Sequence, residues 1–360
     1  MKKNLLIFLL FVSVVFIFLS VYFIFFYKKD YRELCLKLDN SIKEFFLINN
    51  VKNIKRQYSK EYSQDNIKWI QKYYEIILPK DTNLEKFQND IEKFIIKNKY
   101  ELIKKKQKNI IEYCIGKNKK VFLNLIFYIQ FKGYIAIVID DLGYENKRID
   151  EFINLGIPIT FAILPREKYS KELAQKLLNL KYPYLLHLPL ESSSYPKDNP
   201  GRYAIFVNTH DEDVEKIFLT NLRSVLKPVG VNNHMGSKFT GDKHKMQILL
   251  NLIKKENLFF MDSMTNPKSV GENIAREINL KFLKNNVFLD IVDTTENIKL
   301  RFKILLKIVN KYGYGITIGH IHKKHIIEVL KEIIPTLKED GYKFIFVSDL
   351  IDLKYNNMLF

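Results

Sequence analysis

The sequence predicts an α/β protein whose larger part is a closed or nearly closed (β/α) barrel of seven or eight strands. Three observations carry this. First, in Tyr134-Ile135-Ala136-Ile137-Val138-Ile139-Asp140-Asp141-Leu142-Gly143 an apolar, mostly β-branched run leads straight into two adjacent carboxylates. Such a run reads as a strand buried on both faces of a parallel sheet. Second, strand-length apolar runs alternate with helical patterns from Ile135 onward, the rhythm of repeated βα units. Third, later runs end in His187, His234, Asp262, Asp290 and His320. Buried acids at such positions are costly unless they pair, bind a metal or do chemistry.

The first element, Leu5–Phe26, is apolar apart from Ser13, Ser20 and Tyr22. At about 1.5 Å per residue it is long enough to cross a hydrocarbon core of roughly 30 Å. Its exit, Phe25-Phe26-Tyr27-Lys28, lacks the small-x-small pattern of a cleavage site, so an uncleaved transmembrane anchor over residues 1–29 is expected. Lysines and arginines flank both ends and leave its orientation open.

Residues 30–132 read as a small α+β domain or spacer. Asp30–Lys60 has a polar helical pattern, Asn66–Leu78 a strand pattern, and Thr82–Asn98 a helix with Leu84, Phe87, Ile91, Phe94 and Ile95 on one face. Strands are expected near Tyr100–Ile103, Ile110–Cys114 and Val121–Phe131. This region has no histidine and no clustered acids.

The barrel is expected over 133–360. Its candidate strands are Ile135–Ile139, Pro158–Leu164, Tyr184–Leu188, Val229–Asn233, Leu258–Met261, Val287–Leu289, Gly315–Gly319 and Lys343–Val347. Between them lie helical patterns near Arg148–Leu155, Lys168–Leu180, Asp211–Leu226, Lys243–Lys255, Glu272–Ile278, Thr295–Lys311 and Lys324–Leu337. No GxGxxG follows the first strand, so a dinucleotide fold has little support. Glu191–Val207, rich in Ser, Pro, Gly and Tyr, is a long loop at the end of the third strand.

The formal net charge of +18 invites a nucleic-acid partner, but the lysines are dispersed rather than striped with aromatics. No nucleic acid is expected. Cys35 and Cys114 are the only cysteines and form no CxxC pair.

Loops after the strands build the site of a (β/α) barrel. There the residues Asp140, Asp141, His187, Glu191, Asn233, His234, Asp262, Asp290 and His320 would converge. His210, His244 and His325 fit surface or capping positions, and His322 is ambiguous. Asp262 and Asp290 could cap turns or line the pocket. One Asp and two His with an open position suit Zn²⁺, or Fe, Mn or Co by the same geometry. Such a metal lowers the pKa of bound water to about 7 and polarises a carbonyl. Asp140 and Asp141 would then divide into base and ligand, adjacent strand residues pointing in different directions, with His320 as proton donor.

These residues resemble the divergent polysaccharide deacetylase family. The resemblance rests on Ile137-Val138-Ile139-Asp140-Asp141-Leu142-Gly143, Ile159-Thr160-Phe161-Ala162-Ile163-Leu164-Pro165, His187-Leu188-Pro189-Leu190-Glu191, Gly230–Ser237, Phe259-Phe260-Met261-Asp262-Ser263 and Ile318-Gly319-His320, in that order. It covers roughly Gly133 to Leu353. It implies a distorted (β/α) barrel and metal-dependent removal of acetyl groups from a cell-envelope glycan. It further implies an anchor in the cytoplasmic membrane, with the catalytic domain in the periplasm or outside the cell. Carried over residue by residue, Asp140 corresponds to the general base, Asp141 and His187 to metal ligands, and His320 to the histidine that protonates the leaving amine. The ordinary His-x-x-x-His pair is broken, since Glu191 stands four residues after His187. The third ligand is then His234, with Glu191 as the alternative. Asn233, Asp262 and Asp290 are the candidate substrate-binding residues. A barrel that binds glycan or an envelope partner without turnover is the competing reading, and a phosphoesterase a weaker one.

Overall fold

The structure, a computed structural model, describes residues 12–22, 29–79, 82–107 and 109–356. They fall into two compact units, the first ending at Gln130 and the second running from Phe131. The expected anchor Leu5–Phe26 lies partly outside the described residues; residues 12–22 are helical. Among the described residues no helix is long and apolar enough to cross a membrane.

The first unit is a six-stranded mixed sheet with two helices, Arg32–Ile48 and Leu84–Lys97. Alternate residues Tyr74, Ile76, Leu125 and Phe127 are fully buried and share one core with Leu38, Ile42, Phe87 and Ile91 of the helices. The helical pattern expected over Asp30–Lys60 is corrected here. The helix stops at Ile48, and Ile54–Gln64 is a strand antiparallel to Ile67–Ile77. Asn50 takes a left-handed φ of 55°, and Asp65-Asn66 (φ 52° and 61°) make the two-residue turn that joins the strands. The Ile54–Gln64 strand is exposed almost throughout, so no apolar alternation marks it in the sequence.

In the second unit the strands are β1 (Gly133–Leu142), β2 (Thr160–Ile163), β3 (Tyr184–Leu190), β4 (Gly230–Met235), β5 (Phe259–Asp262), β6 (Phe282–Lys284), β7 (Val287–Phe288), β8 (Tyr314–His320) and β9 (Tyr342–Phe344). All pair in parallel, in the order β6-β5-β4-β3-β2-β1-β8-β7. The N-terminal residues of β1 also pair with β9. The two edge strands, β6 and β7, are consecutive in the chain and joined only by Asn285-Asn286. Asn285 N–H donates to Asp262 O at 2.9 Å and Asn286 N–H to Ile316 O at 3.0 Å. This short link, rather than a strand pair, brings the edges of the curled sheet together. β6 is absent from the sequence expectation because three residues are too few for a period to emerge.

Strand parity sorts the core. Ile135, Ile137 and Ile139 pack among the helices, while Ala136 and Val138 point inward with Leu185, Met261, Ile316 and Ile318. A C-terminal helix, Val347–Tyr355, puts Val347, Leu350 and Ile351 into that inner cluster. The last strand therefore ends at Phe344, short of the Val347 expected from its apolar run.

Candidate metal and acid–base site

The inward parity that buries Ala136 and Val138 carries on to Asp140. The same parity on the neighbouring strands delivers His187 after Leu185, and His320 after Ile316 and Ile318. On β4 the register pairs Asn232 with His187 and His234 with Pro189. Asn232 and His234 therefore share the inward face. His234 lines a cleft of about 340 Å³ with Asn233, Ser263, Phe288 and Asp290, and Asn232 lies fully buried beneath it.

Parity alone would send Asp141 outward, away from Asp140. The structure corrects that expectation. The β1–β2 register slips between Ile139 and Leu142, and Asp141 sits in the left-handed region at φ 66°. A bulge of this kind re-aims a side chain at the end of a strand. Both carboxylates consequently face His187, whose Nε2 lies 3.2 Å from Asp141 Oδ1 and 3.7 Å from Asp140 Oδ2.

Three donor atoms converge: Asp141 Oδ1, His187 Nε2 and His234 Nδ1. They stand 2.9 Å (Asp141–His234), 3.2 Å (Asp141–His187) and 3.2 Å (His187–His234) apart. Tetrahedral Zn²⁺ with bonds of about 2.0–2.1 Å would hold such atoms about 3.3 Å apart. Asp141 Oδ1 is buried and, despite these neighbours, has no hydrogen bond of acceptable geometry. An orphaned carboxylate oxygen facing two imidazole nitrogens fits a divalent cation.

Asn232, which the sequence reading passed over, organises this group. Its Nδ2 donates to Asp140 Oδ1 at 2.9 Å, so its Oδ1 is turned to His187 Nδ1, also at 2.9 Å. His187 thereby keeps its proton on Nδ1 and presents the Nε2 lone pair to the cluster. The neighbour selected from the sequence, Asn233, has the opposite parity. Its Oδ1 accepts from Ser263 N at 2.9 Å and its Nδ2 donates to Met235 O at 2.7 Å, so its polar atoms are taken up by the cleft wall.

Electrostatics separate the two acids. Burial pushes the Asp140 carboxyl up, against the pull of His187 and His320. Burial acts on Asp141 in the same sense, but His187 and His234 outweigh it and hold its carboxyl well below the usual range. For His320 burial works against protonation, yet Asp290 first, then Asp140 and Asp141, raise it from 6.5 to about 9. Asp290 Oδ1 lies 2.9 Å from His320 Nδ1 and its Oδ2 accepts the His320 backbone N–H at 2.6 Å. Asp290 thus lies in the cleft as the partner of His320. Phe288 stacks on the His320 ring, the centroids 6.2 Å apart and the planes within 10°.

Two further expectations change. Asp262 has the outward parity; its Oδ1 accepts from Met264 N at 2.7 Å and its Oδ2 from Ser269 Oγ at 2.5 Å, which shapes the following loop away from the cleft. The Glu191 carboxylate, weighed as a ligand, accepts from Val207 N and Lys238 Nζ, each at 2.7 Å. The chain turns after Leu190, so the shared face expected of residues four apart is lost, and Glu191 fastens the long loop instead. His322, ambiguous in the sequence, does reach the cleft, its Nδ1 3.6 Å from Asp141 Oδ2.

The family described as divergent polysaccharide deacetylase matches residues 137–351. The uncharacterized protein YibQ of Escherichia coli K12 is 30% identical over 208 residues, 58% of this chain and 64% of that protein. The chain therefore spans just under two thirds of that relative's length. An uncharacterized protein of Haemophilus influenzae Rd is 31% identical over 235 residues, 64% of this chain and 82% of its own. Among solved structures, the uncharacterized protein ATU2773 from Agrobacterium tumefaciens C58 shares the fold. Its TM-score is 0.58 at 21% identity, covering 61% of this chain and 90% of that one. With more than half of its length matched, barrel and strand-end residues included, this chain belongs to the divergent polysaccharide deacetylase family.

Proposed function

We propose that the protein is a metal-dependent hydrolase that removes acetyl groups from a cell-envelope polysaccharide. One observation carries the reading: Asp141, His187 and His234 converge on an orphaned carboxylate oxygen in the cleft that also holds Asp140 and His320. Those three residues would hold the ion, most simply Zn²⁺, with Fe, Mn or Co compatible with the same donors. A divalent metal bound there supplies Lewis-acid polarisation of the acetyl carbonyl and lowers the pKa of water. Asp140, its carboxyl raised by burial and oriented by Asn232, is suited to take a proton from water near neutrality. His320 stays protonated at neutral pH. With Nδ1 held by Asp290, its Nε2 is left to deliver a proton to the leaving amine.

In this reading Leu5–Phe26 anchors the chain in the cytoplasmic membrane, with the barrel on the outer side where acetylated polymers lie. The support is the apolar length of that segment and its lack of a cleavage pattern. Acetate release from acetylated oligosaccharides by metal-loaded protein tests the proposal. Asp140→Asn should cost on the order of 10²-fold in turnover while metal content stays unchanged. Wild type that holds metal and releases no acetate would leave a glycan-binding barrel instead.

A further inference from the structure

In the loops that follow β2 and β3, two guanidinium groups share one tyrosine ring. Arg166 lies with its Cζ 3.7 Å from the centroid of the Tyr203 ring, and Arg202 lies 5.8 Å from the same centroid. Both arginines are exposed. Among the described residues neither takes part in an ion pair or a hydrogen bond, although most arginines of this chain do. The chain has eight arginines against fifty lysines, so lysine-rich drift does not account for two guanidiniums on one ring.

Both elements are held in place. Arg166 follows β2 and takes a left-handed φ of 61°, uncommon for a long side chain and a mark of local constraint. Its turn is tied to the turn that carries the two acids, through Leu164 N–H to Leu142 O (2.7 Å) and Tyr169 N–H to Gly143 O (2.9 Å). Tyr203 belongs to the long loop fastened by Glu191, and its carbonyl accepts from the buried Asn221 at 2.9 Å. The pair therefore stands at the C-terminal ends of the strands, the end of the sheet that carries the cleft, outside the cleft's own lining.

A guanidinium seated over a ring still presents N–H groups to solvent, in the planar fork that matches a carboxylate or phosphate bidentately. We infer that Arg166 and Arg202, pre-oriented by Tyr203, form an anion-recognition subsite, and that the polysaccharide it takes carries oxyanion groups, carboxylate or phosphate, flanking the acetylated residue. This rests on the polysaccharide reading of the cleft and narrows its substrate class.

The test is binding to the full-length, metal-free protein, measured by calorimetry with two matched pairs of probes. One pair is oligogalacturonate and its carboxyl-reduced form; the other is dextran phosphate and dextran. Wild type should bind at least one charged probe about tenfold or more tighter than its neutral partner, and the pair that discriminates identifies the oxyanion. Arg166→Gln and Arg202→Gln should each erase most of that preference, and Tyr203→Leu should do the same by unseating both. Arg166→Lys should restore it only in part, Tyr203→Phe should keep it, and the exposed Arg223→Gln should leave it unchanged. Equal binding of charged and neutral probes by wild type, or an unaltered preference in Arg166→Gln and Arg202→Gln, overturns the inference. Failure of the deacetylase reading looks different: no acetate release, with the preference for charged probes intact.

Discussion

Asp290→Asn isolates the pair that is to make His320 a proton donor. His320 is raised from 6.5 to about 9, and Asp290 is the largest of the groups that raise it. Its carboxylate contacts both Nδ1 and the backbone N–H of His320. The asparagine keeps the shape and removes the charge. The desolvation of a ring only 26% exposed is then opposed by Asp140 and Asp141 alone, so His320 should titrate back toward its ordinary value of 6.5. A fall of about 2–3 pH units corresponds to about 3–4 kcal/mol at ~1.36 kcal/mol per unit. At pH 7.5 the protonated fraction would drop from nearly complete to roughly a tenth or less. The assay is an NMR titration of the imidazole Cε1–H resonances of metal-free protein, with His320→Gln assigning the signal. The linkage has a definite sign. A raised folded-state pKa adds stability that is fully present below about pH 6.5 and lost as pH rises through about 9. Wild type should therefore lose stability across that window, and Asp290→Asn should not. If His320 in Asp290→Asn still titrates near 9, Asp140 and Asp141 carry the shift and Asp290 is not the orienting group.

Other perturbations bear on neighbouring parts of the site. Asn232→Ala frees His187 Nδ1 and strips a hydrogen bond from Asp140; chelator competition should show metal affinity weakened about 10- to 100-fold. Glu191→Ala should leave metal content intact. It should also destabilise the fold by about 1–3 kcal/mol, with faster amide exchange across 191–207, because Val207 N–H and Lys238 lose their acceptor. Gly319→Val should destabilise the barrel by about 1–3 kcal/mol, since the buried Ile326 side chain has to turn away. A Cβ there would stand 2.1 Å from Ile326 Cδ1, and thermal denaturation reports the loss.

Most of the barrel was legible in the sequence because its strands are buried on both faces and its helices keep an apolar stripe. Asp140, His187 and His320 could be read because each follows apolar residues at its inward parity; His234 follows Asn232 and Asn233 and was legible only as a histidine at a strand end. Applied to every strand, that parity adds Asn232 as the residue behind His187 and Asp140 and points Asp262 away from the cleft; Asn233 lines the cleft despite its opposite parity. The bulge at Asp141 was not legible, since nothing local distinguishes a residue that will adopt φ 66° from one that continues the strand. Nor was the partnership of Asp290 with His320, which depends on β7 and β8 lying side by side. In the first unit, a strand exposed almost throughout gave no alternation to find.

Metal content by elemental analysis, after loading with Zn²⁺ and removal of excess, tests the central claim most directly. The account predicts one ion per chain in wild type and in Glu191→Ala, and loss of that ion in Asp141→Ala, His187→Ala and His234→Ala. Wild type that holds no metal under any loading condition, or Glu191→Ala that loses it while His234→Ala does not, would contradict it.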